Sequence, residues 1–384
     1  MQDCPLPFDY QSTTPCSQEV IEAMSPYWDE LWGNSSSRQN RLGLEASAAV
    51  SLAREQISHC LKVKPERVIF TSGATEANNL ALLGHARFTS LEKGPAGHLI
   101  TLSSEHHAVL DPLRQLQNEG FRLTELRPDR DGLLQKQMLE EAFQEDTIMV
   151  SLMIANNEIG VLQPIAELAA LCRARGITFH SDAAQAFGYV PLDVDNLGID
   201  FMSISGHKIY GPKGIGALII KEGVPLNPIQ WGGGQEQGLR SGTLPVPLIV
   251  GFAKAAEIAN SQLHHVYSEL ETLRNKLSNG LKAEIPDLIV NGSMVNRLPH
   301  NLNITIKGIN GNRLHRELRP FISCSSGSAC NNGSPSHVLL SLGRSIEEAE
   351  SSLRLSLGIN TNSEDINLAI QMISGVVNKL LNNN

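Results

Sequence analysis

An α/β fold with a mostly parallel sheet, joined to a smaller α+β domain, is predicted by three features of this 384-residue sequence. Apolar runs of strand length recur through the middle of the chain. Stretches with helical spacing separate several of them, and strands alternating with helices imply a parallel sheet covered on both faces. Near Leu248 the texture changes, which marks the second domain. The strand runs are Arg67–Thr71, His98–Ser103, Thr147–Met153, Ile177–Ser181, Phe201–Ser205 and Ile215–Ile220. Between them, Ala74–Gly84, Ala108–Glu119 and Ile165–Arg175 carry helical spacing, the last closed by Gly176 as a C-cap. A long helix is expected from Leu248 to Leu281, a strand at Leu302–Ile306, a Gly/Ser/Cys-rich stretch at Ser323–Ser336, and a final helix at Ser363–Leu381. Ser35–Ser37 and Asn331–Ser334 read as loops, and no internal repeat is present. The expected division is a large cofactor-binding domain over 15–255 and a small domain built from 1–14 and 256–384.

Composition excludes several classes of function. With 41% hydrophobic and 18% charged residues the chain can bury a sizeable core. The 31 Lys and Arg against 40 Asp and Glu give a net charge of −9, the wrong sign for nucleic acid or an anionic membrane surface. No apolar run approaches the ~18–20 residues that span a bilayer. Asp3 and Asp9 near the N-terminus, without a basic patch and apolar stretch, argue against a secretory signal. Six cysteines, none in a C-x-x-C pair, do not make a disulfide framework or a zinc site, so no metal is expected. The expectation is a reduced, cytoplasmic enzyme.

Three features in chain order carry chemistry. Thr71-Ser72-Gly73-Ala74-Thr75-Glu76 joins a strand to a helix; it suits either an anion at the helix N-terminus or an ordinary cap with Glu at the third position. Asp182 follows the strand Ile177–Ser181, where α/β sheets bind ligands, with Gln185 three residues on; Asp is equally a common helix cap. Ser205-Gly206-His207-Lys208 follows Phe201–Ser205, and Lys208 at a strand end is placed like no other lysine; Lys213, in a Gly/Pro turn, is its nearest rival. Loop for a phosphate, acid for a pyridinium nitrogen and lysine for an aldehyde make up a pyridoxal-phosphate site.

Several longer motifs carry a resemblance. Ser72-Gly73-Ala74-Thr75-Glu76-Ala77-Asn78-Asn79, Glu105-His106-His107-Ala108-Val109, Asn156-Asn157-Glu158-Ile159-Gly160 and Ser205 through Gly214 resemble the cysteine desulfurases, class V aminotransferase enzymes of fold type I (aspartate aminotransferase-like). Arg240-Ser241-Gly242-Thr243 and Ser325-Ser326-Gly327-Ser328-Ala329-Cys330 match as well, and the likeness runs from Asp9-Tyr10 through Arg354. The resemblance implies roles. Lys208 would hold pyridoxal 5'-phosphate as a Schiff base, with His106 stacked on the ring and assisting proton transfer. Asp182 would pair with the ring nitrogen, while Gln185 and Asn157 would orient the phenolate side. Ala74, Thr75, Ser205 and His207 would hold the phosphate, with Thr243 supplied by the partner subunit of a homodimer. Asn34 and Arg354 would bind the substrate carboxylate. His107 reads instead as a satisfied polar residue.

Among the cysteines, Cys172 and Cys60 are expected in the core, and Cys324 is expected to be structural rather than a sulfur acceptor. Cys330, in its Ser/Gly-rich stretch, is the candidate nucleophile, against a loop cysteine with no role. Only Asn331 through Ser334 separate it from Pro335, a shorter spacing than in housekeeping members of the family. The implied reaction removes sulfur from L-cysteine, gives L-alanine and a persulfide on Cys330, and delivers sulfur to an acceptor such as an iron–sulfur assembly protein. A cysteine or cystine C–S lyase, a selenocysteine lyase, an ordinary aminotransferase and a non-enzymatic assembly scaffold are the alternatives, distinguished by their products.

Overall fold

The computed structural model describes residues 5–94, 96–326 and 334–382. Its strands are β1 (Leu6–Pro7), β2 (Val68–Thr71), β3 (His98–Leu102), β4 (Arg122–Leu126), β5 (Thr147–Ser151), β6 (Thr178–Asp182), β7 (Phe201–Ser205), β8 (Gly216–Ile220), β9 (Ile289–Val290), β10 (Asn301–Thr305), β11 (Ile322–Ser323) and β12 (Ser352–Ser356). Seven form the central sheet in the order β2-β8-β7-β6-β5-β3-β4. β8 alone runs against its neighbours, and the rest are parallel to one another. The middle strands β3, β6 and β7 are almost wholly buried, as helices on both faces require. β12, β10 and β9 make a separate antiparallel sheet, and β1 pairs in parallel with β11.

The expected strands fall within a residue or two of the observed ones; Asp182 closes β6 instead of following it. The helix begun at Ala74 continues to Lys93, and the one expected from Leu248 spans Val246–Glu284, 39 residues. That helix passes without a break through position 255/256, where the two domains were expected to divide. One hydrophobic cluster extends from Leu6 in β1 through the sheet to Leu380 in the last helix, Ser363–Leu381. Gly176 takes φ +67°, which closes the chain after Ile165–Arg173 at no steric cost to a residue without Cβ.

Candidate active site

A cavity of about 450 Å³ opens where the parallel strands end. Much of its lining comes from the ends of, and the loops after, different strands of the central sheet, which is how a doubly wound sheet gathers distant residues at one edge. The loop after β2 contributes Ser72 to Glu76, and the helix Ala74–Lys93 starts at Gly73 with no side-chain cap. Gly73 sits at φ +152° with nothing within 4 Å of where a Cβ would stand, so backbone alone faces the space. Glu76 turns aside: its carboxylate accepts from Ser72 N at 2.6 Å and pairs with Arg240 at 2.8 Å. Burial opposes that charge, yet the bonds from Arg240 and Ser72 outweigh it and lower the carboxyl's pKa. The ordinary-cap reading needed a Ser or Thr side chain at the cap position, and that position is Gly73, which makes no side-chain bond; of that arrangement only the Glu76 carboxylate folded back on Ser72 N is present.

Asp182, almost wholly buried, is held at both oxygens. Asn78 Nδ2 donates to Oδ2 at 2.7 Å and Ala184 N to Oδ1 at 2.9 Å. Lys208, in the short 3-10 turn Gly206–Lys208, directs Nζ to the carbonyls of Gln11 and Ser12 at 2.7 and 2.8 Å. Lys213 also borders the cavity, but it is exposed. His106 caps the helix His107–Asn118, its Nδ1 accepting from Ala108 N at 3.1 Å; the neutral ring therefore carries its proton on Nε2. Burial holds its pKa below the usual value; Asp182 pulls the other way, and Lys208, His107 and His337 push it lower. Ser205 and His207 line the same wall. Burial, reinforced by Lys208 and Lys213, takes His207 down to about 4, and its Nδ1 lies 3.1 Å from Thr13 Oγ1.

Gln185 exchanges bonds with Gln11: Nε2 donates to the carbonyl at 3.1 Å, and Oε1 accepts from Nε2 at 3.3 Å. Asn157 lines the cavity with a buried Oδ1 that no group of the described residues meets. Arg354, on β12, reaches the same cavity at 2% exposure, its Nη2 bonded to Asp9 at 2.7 Å and Ser12 Oγ at 2.6 Å and its Nη1 to Asn157 O at 2.8 Å. Its Nε is buried and has no partner among the described residues.

Two expected contacts are not brought together here. Asn34 and Thr243 are exposed and do not line this cavity; Asn34 Oδ1 accepts from Ser36 N at 2.9 Å. Cys330 lies outside the described residues. Burial and the Asp9 charge push the Cys324 thiol up to about 12, which leaves negligible thiolate at neutral pH. His107 is off the cavity, its Nδ1 3.4 Å from Asp111. Sequence reading passed over Gln11, Ser12 and Thr13, which carry no periodic signal, and Asn78. The last was within reach, since a residue four after Ala74 shares its helix face.

A lysine, a fixed carboxylate and an uncapped helix N-terminus on one cavity define a class, the pyridoxal-phosphate enzymes. Residues 7–368 match the aminotransferase class-V family. The chain is 43% identical over 380 residues to the protein named cysteine desulfurase IscS of Rickettsia akari (strain Hartford), covering 98% of this chain and 92% of the relative. It is 45% identical over 382 residues to the protein of that name in Serratia proteamaculans (strain 568), covering 98% and 93%. Of solved structures, a NifS-like protein superposes with a TM-score of 0.91 at 34% identity, over 98% of this chain and all of the other. A structure of SspA in complex with cysteine superposes with a TM-score of 0.80 at 38% identity, over 91% and 98%. The chain belongs to the cysteine desulfurases of the class-V aminotransferase family, and these use pyridoxal phosphate. The cavity fits that group: its lining brings together a helix N-terminus without a side-chain cap, a fixed carboxylate and the Oδ1 of Asn157, which no described group meets.

Proposed function

We propose that this protein takes sulfur from L-cysteine, releases L-alanine and carries the sulfur as a persulfide on Cys330 before an acceptor protein receives it. The observation that carries the reading is the convergence of Lys208, Asp182 and the uncapped turn at Ala74 on one cavity. Bound there, pyridoxal phosphate supplies an aldehyde that condenses with amines and a ring that absorbs carbanion charge. The chain's own residues supply the rest. Ala74, Thr75, Ser205 and His207 hold the phosphate, the first two through backbone N–H groups at the positive end of the helix. Asp182, fixed by Asn78, keeps the ring nitrogen protonated. His106, neutral with its proton on Nε2, covers the ring, and Asn157 and Gln185 fix its orientation. Lys208 is the anchoring amine and moves the α-proton. Arg354, at the cavity wall, meets the substrate carboxylate, and Cys330 as thiolate takes the sulfur.

The assembly we propose is a homodimer in which Thr243 of each chain completes the other's phosphate site. Exposed Trp28 and Trp32 before Asn34, and Trp231 before Thr243, support it: three large apolar side chains left in water mark surface that a second copy covers. Asn34 stands off this chain's cavity, so its contact with a substrate carboxylate requires that second copy. The domain division at 15–255 against 1–14 with 256–384, a cytoplasmic location, and an iron–sulfur assembly protein as acceptor complete the proposal. No described helix is long and apolar enough to cross a membrane.

Product analysis tests the proposal. Holoenzyme incubated with L-cysteine and a dithiol reductant should form alanine and sulfide in equal amounts, without pyruvate. Cys330→Ser should keep the cofactor and its spectral response to L-cysteine yet lose nearly all alanine, because a hydroxyl is a poor nucleophile toward sulfur. Pyruvate and sulfide at the parental rate from Cys330→Ser would make the protein a C–S lyase instead.

A further inference from the structure

Two adjacent residues outside the cavity each reach a neighbour of a site residue. Ser336 Oγ donates to the carboxylate of Glu158, which follows Asn157. His337 Nε2 donates to the carbonyl of Glu105 at 2.8 Å, and Glu105 precedes His106. Both glutamates are fully buried. The same Ser336 hydroxyl accepts from Leu339 N at 3.1 Å and so caps the short helix His337–Ser341. The His337 ring lies against that of His107, centroids 4.8 Å apart, and His107 is the first residue of the helix that His106 caps. The wall beyond is equally tied. Glu158 O accepts from Asn301 and Asn303 at 3.0 and 3.1 Å, and Asn157 O accepts from Arg354 at 2.8 Å.

We propose that Ser336 and His337 are positioning residues that hold the ring of His106 and the amide of Asn157 in place over the cavity. The proposal rests on the reading of those two residues as cofactor-facing. The backbone on either side of a functional side chain sets where that side chain points. Here one dipeptide reaches two loops, binding the backbone of Glu105 after β3 and the side chain of Glu158 after β5. His337 blocks rotation at His106 twice, by its bond to the preceding carbonyl and by its ring against the following residue. Ser336 acts on Asn157 through the next residue, fixing the buried Glu158 side chain whose own carbonyl is tied to Asn301 and Asn303. The dipeptide lies only six and seven residues after Cys330, so the placement of ring-facing groups is linked to the segment that bears the sulfur acceptor.

The test uses holoenzyme carrying Ser336→Ala, His337→Ala, Ser336→Thr or His337→Gln. The alanine variants should lower kcat for L-cysteine about tenfold, as sub-ångström misplacement does, with KM within about threefold. They should also shift the pH midpoint of the bound cofactor's absorbance. Ser336→Thr keeps the hydroxyl, and His337→Gln keeps a donor at the Nε2 reach, so both should restore kcat and spectrum. In a His106→Ala background, His337→Ala should have little further effect, since it acts through His106. A lower melting temperature with kcat and spectrum unchanged would overturn the proposal, as would full additivity with His106→Ala. If His106→Ala itself leaves kcat and spectrum at parental values, the cofactor-facing reading of that residue fails along with it.

Discussion

Asp182 is the residue on which most of the proposed chemistry depends, and its neighbours explain how it is kept ready. A carboxylate with one oxygen on Asn78 and the other on a backbone N–H cannot rotate away from a cationic partner. Asp182→Ala should retain some cofactor and lose about 10²–10³ of the rate of alanine formation, the ~3–4 kcal/mol attached to a preorganised electrostatic contact. Asn78→Ala removes one hydrogen bond to a charged group, about 1.5–3 kcal/mol, and should cost roughly 10–100-fold with the carboxylate still present. Steady-state alanine formation at saturating L-cysteine measures both; activity of Asp182→Ala within about threefold of the parent would show that Asp182 only shapes the chain. The types and order of Ala74, Asp182 and Lys208 were legible in the sequence because each stands at a strand end. The partners of Arg354 were not. Asp9 and Ser12 precede it by more than three hundred positions, and no local pattern links an arginine to acids so far away.

At the scale of elements, the strands that were legible are mostly buried and rich in apolar residues, the edge strand β2 among them. β4 and β12 escaped for opposite reasons. β4 is an edge strand whose Arg-Leu-Thr-Glu-Leu is only partly covered. β12 is buried throughout, yet it reads Ser-Leu-Arg-Leu-Ser because its polar side chains point toward partners and cavity. β8 shows how an element shapes the site without lending it a side chain. A Cβ on Gly216 would stand 2.4 Å from Ile204 O and 2.8 Å from Gly73 Cα, both backbone, so the strand passes directly under the proposed phosphate loop. Gly216→Ala must push that loop. It should destabilise the protein by about 1–3 kcal/mol and weaken cofactor retention. Gly176→Ala, at φ +67° in open space, should cost only the roughly 1 kcal/mol of a left-handed alanine, with retention unchanged. Urea midpoints and cofactor release on dilution distinguish the two; equal retention in both would mean that β8 does not support the loop.

For the whole molecule, stability should depend on pH through buried neutral imidazoles. Burial lowers His180 and His300 from 6.5 to about 3, and His207 to about 4. The unfolded chain takes up these protons near pH 6.5 while the fold refuses them, so between about 6.5 and 4 the unfolded state binds more. Stability is therefore complete above that window and falls as pH drops through it, by about 1.4 kcal/mol per pH unit for each of the fully buried His180 and His300 and by less for the half-buried His207, whose charge water screens. His300, stacked on Tyr189 with centroids 3.9 Å apart, can be tested singly. His300→Gln should flatten the fall in urea midpoint between pH 6.5 and 4; an unchanged slope would rule out its share. At this same scale the pairing of β1 with β11 has a consequence for biosynthesis. Leu6 hydrogen-bonds beside Ile322, and Gln11 and Ser12 take the Lys208 ammonium. β1 thus waits for a partner translated roughly three hundred residues later, about 15–60 s at ordinary ribosomal speed. Until then the arm Leu6–Ser12 has no strand to pair with, and a bulky group fused beside it would burden the catalytic lysine sooner than the rest of the fold.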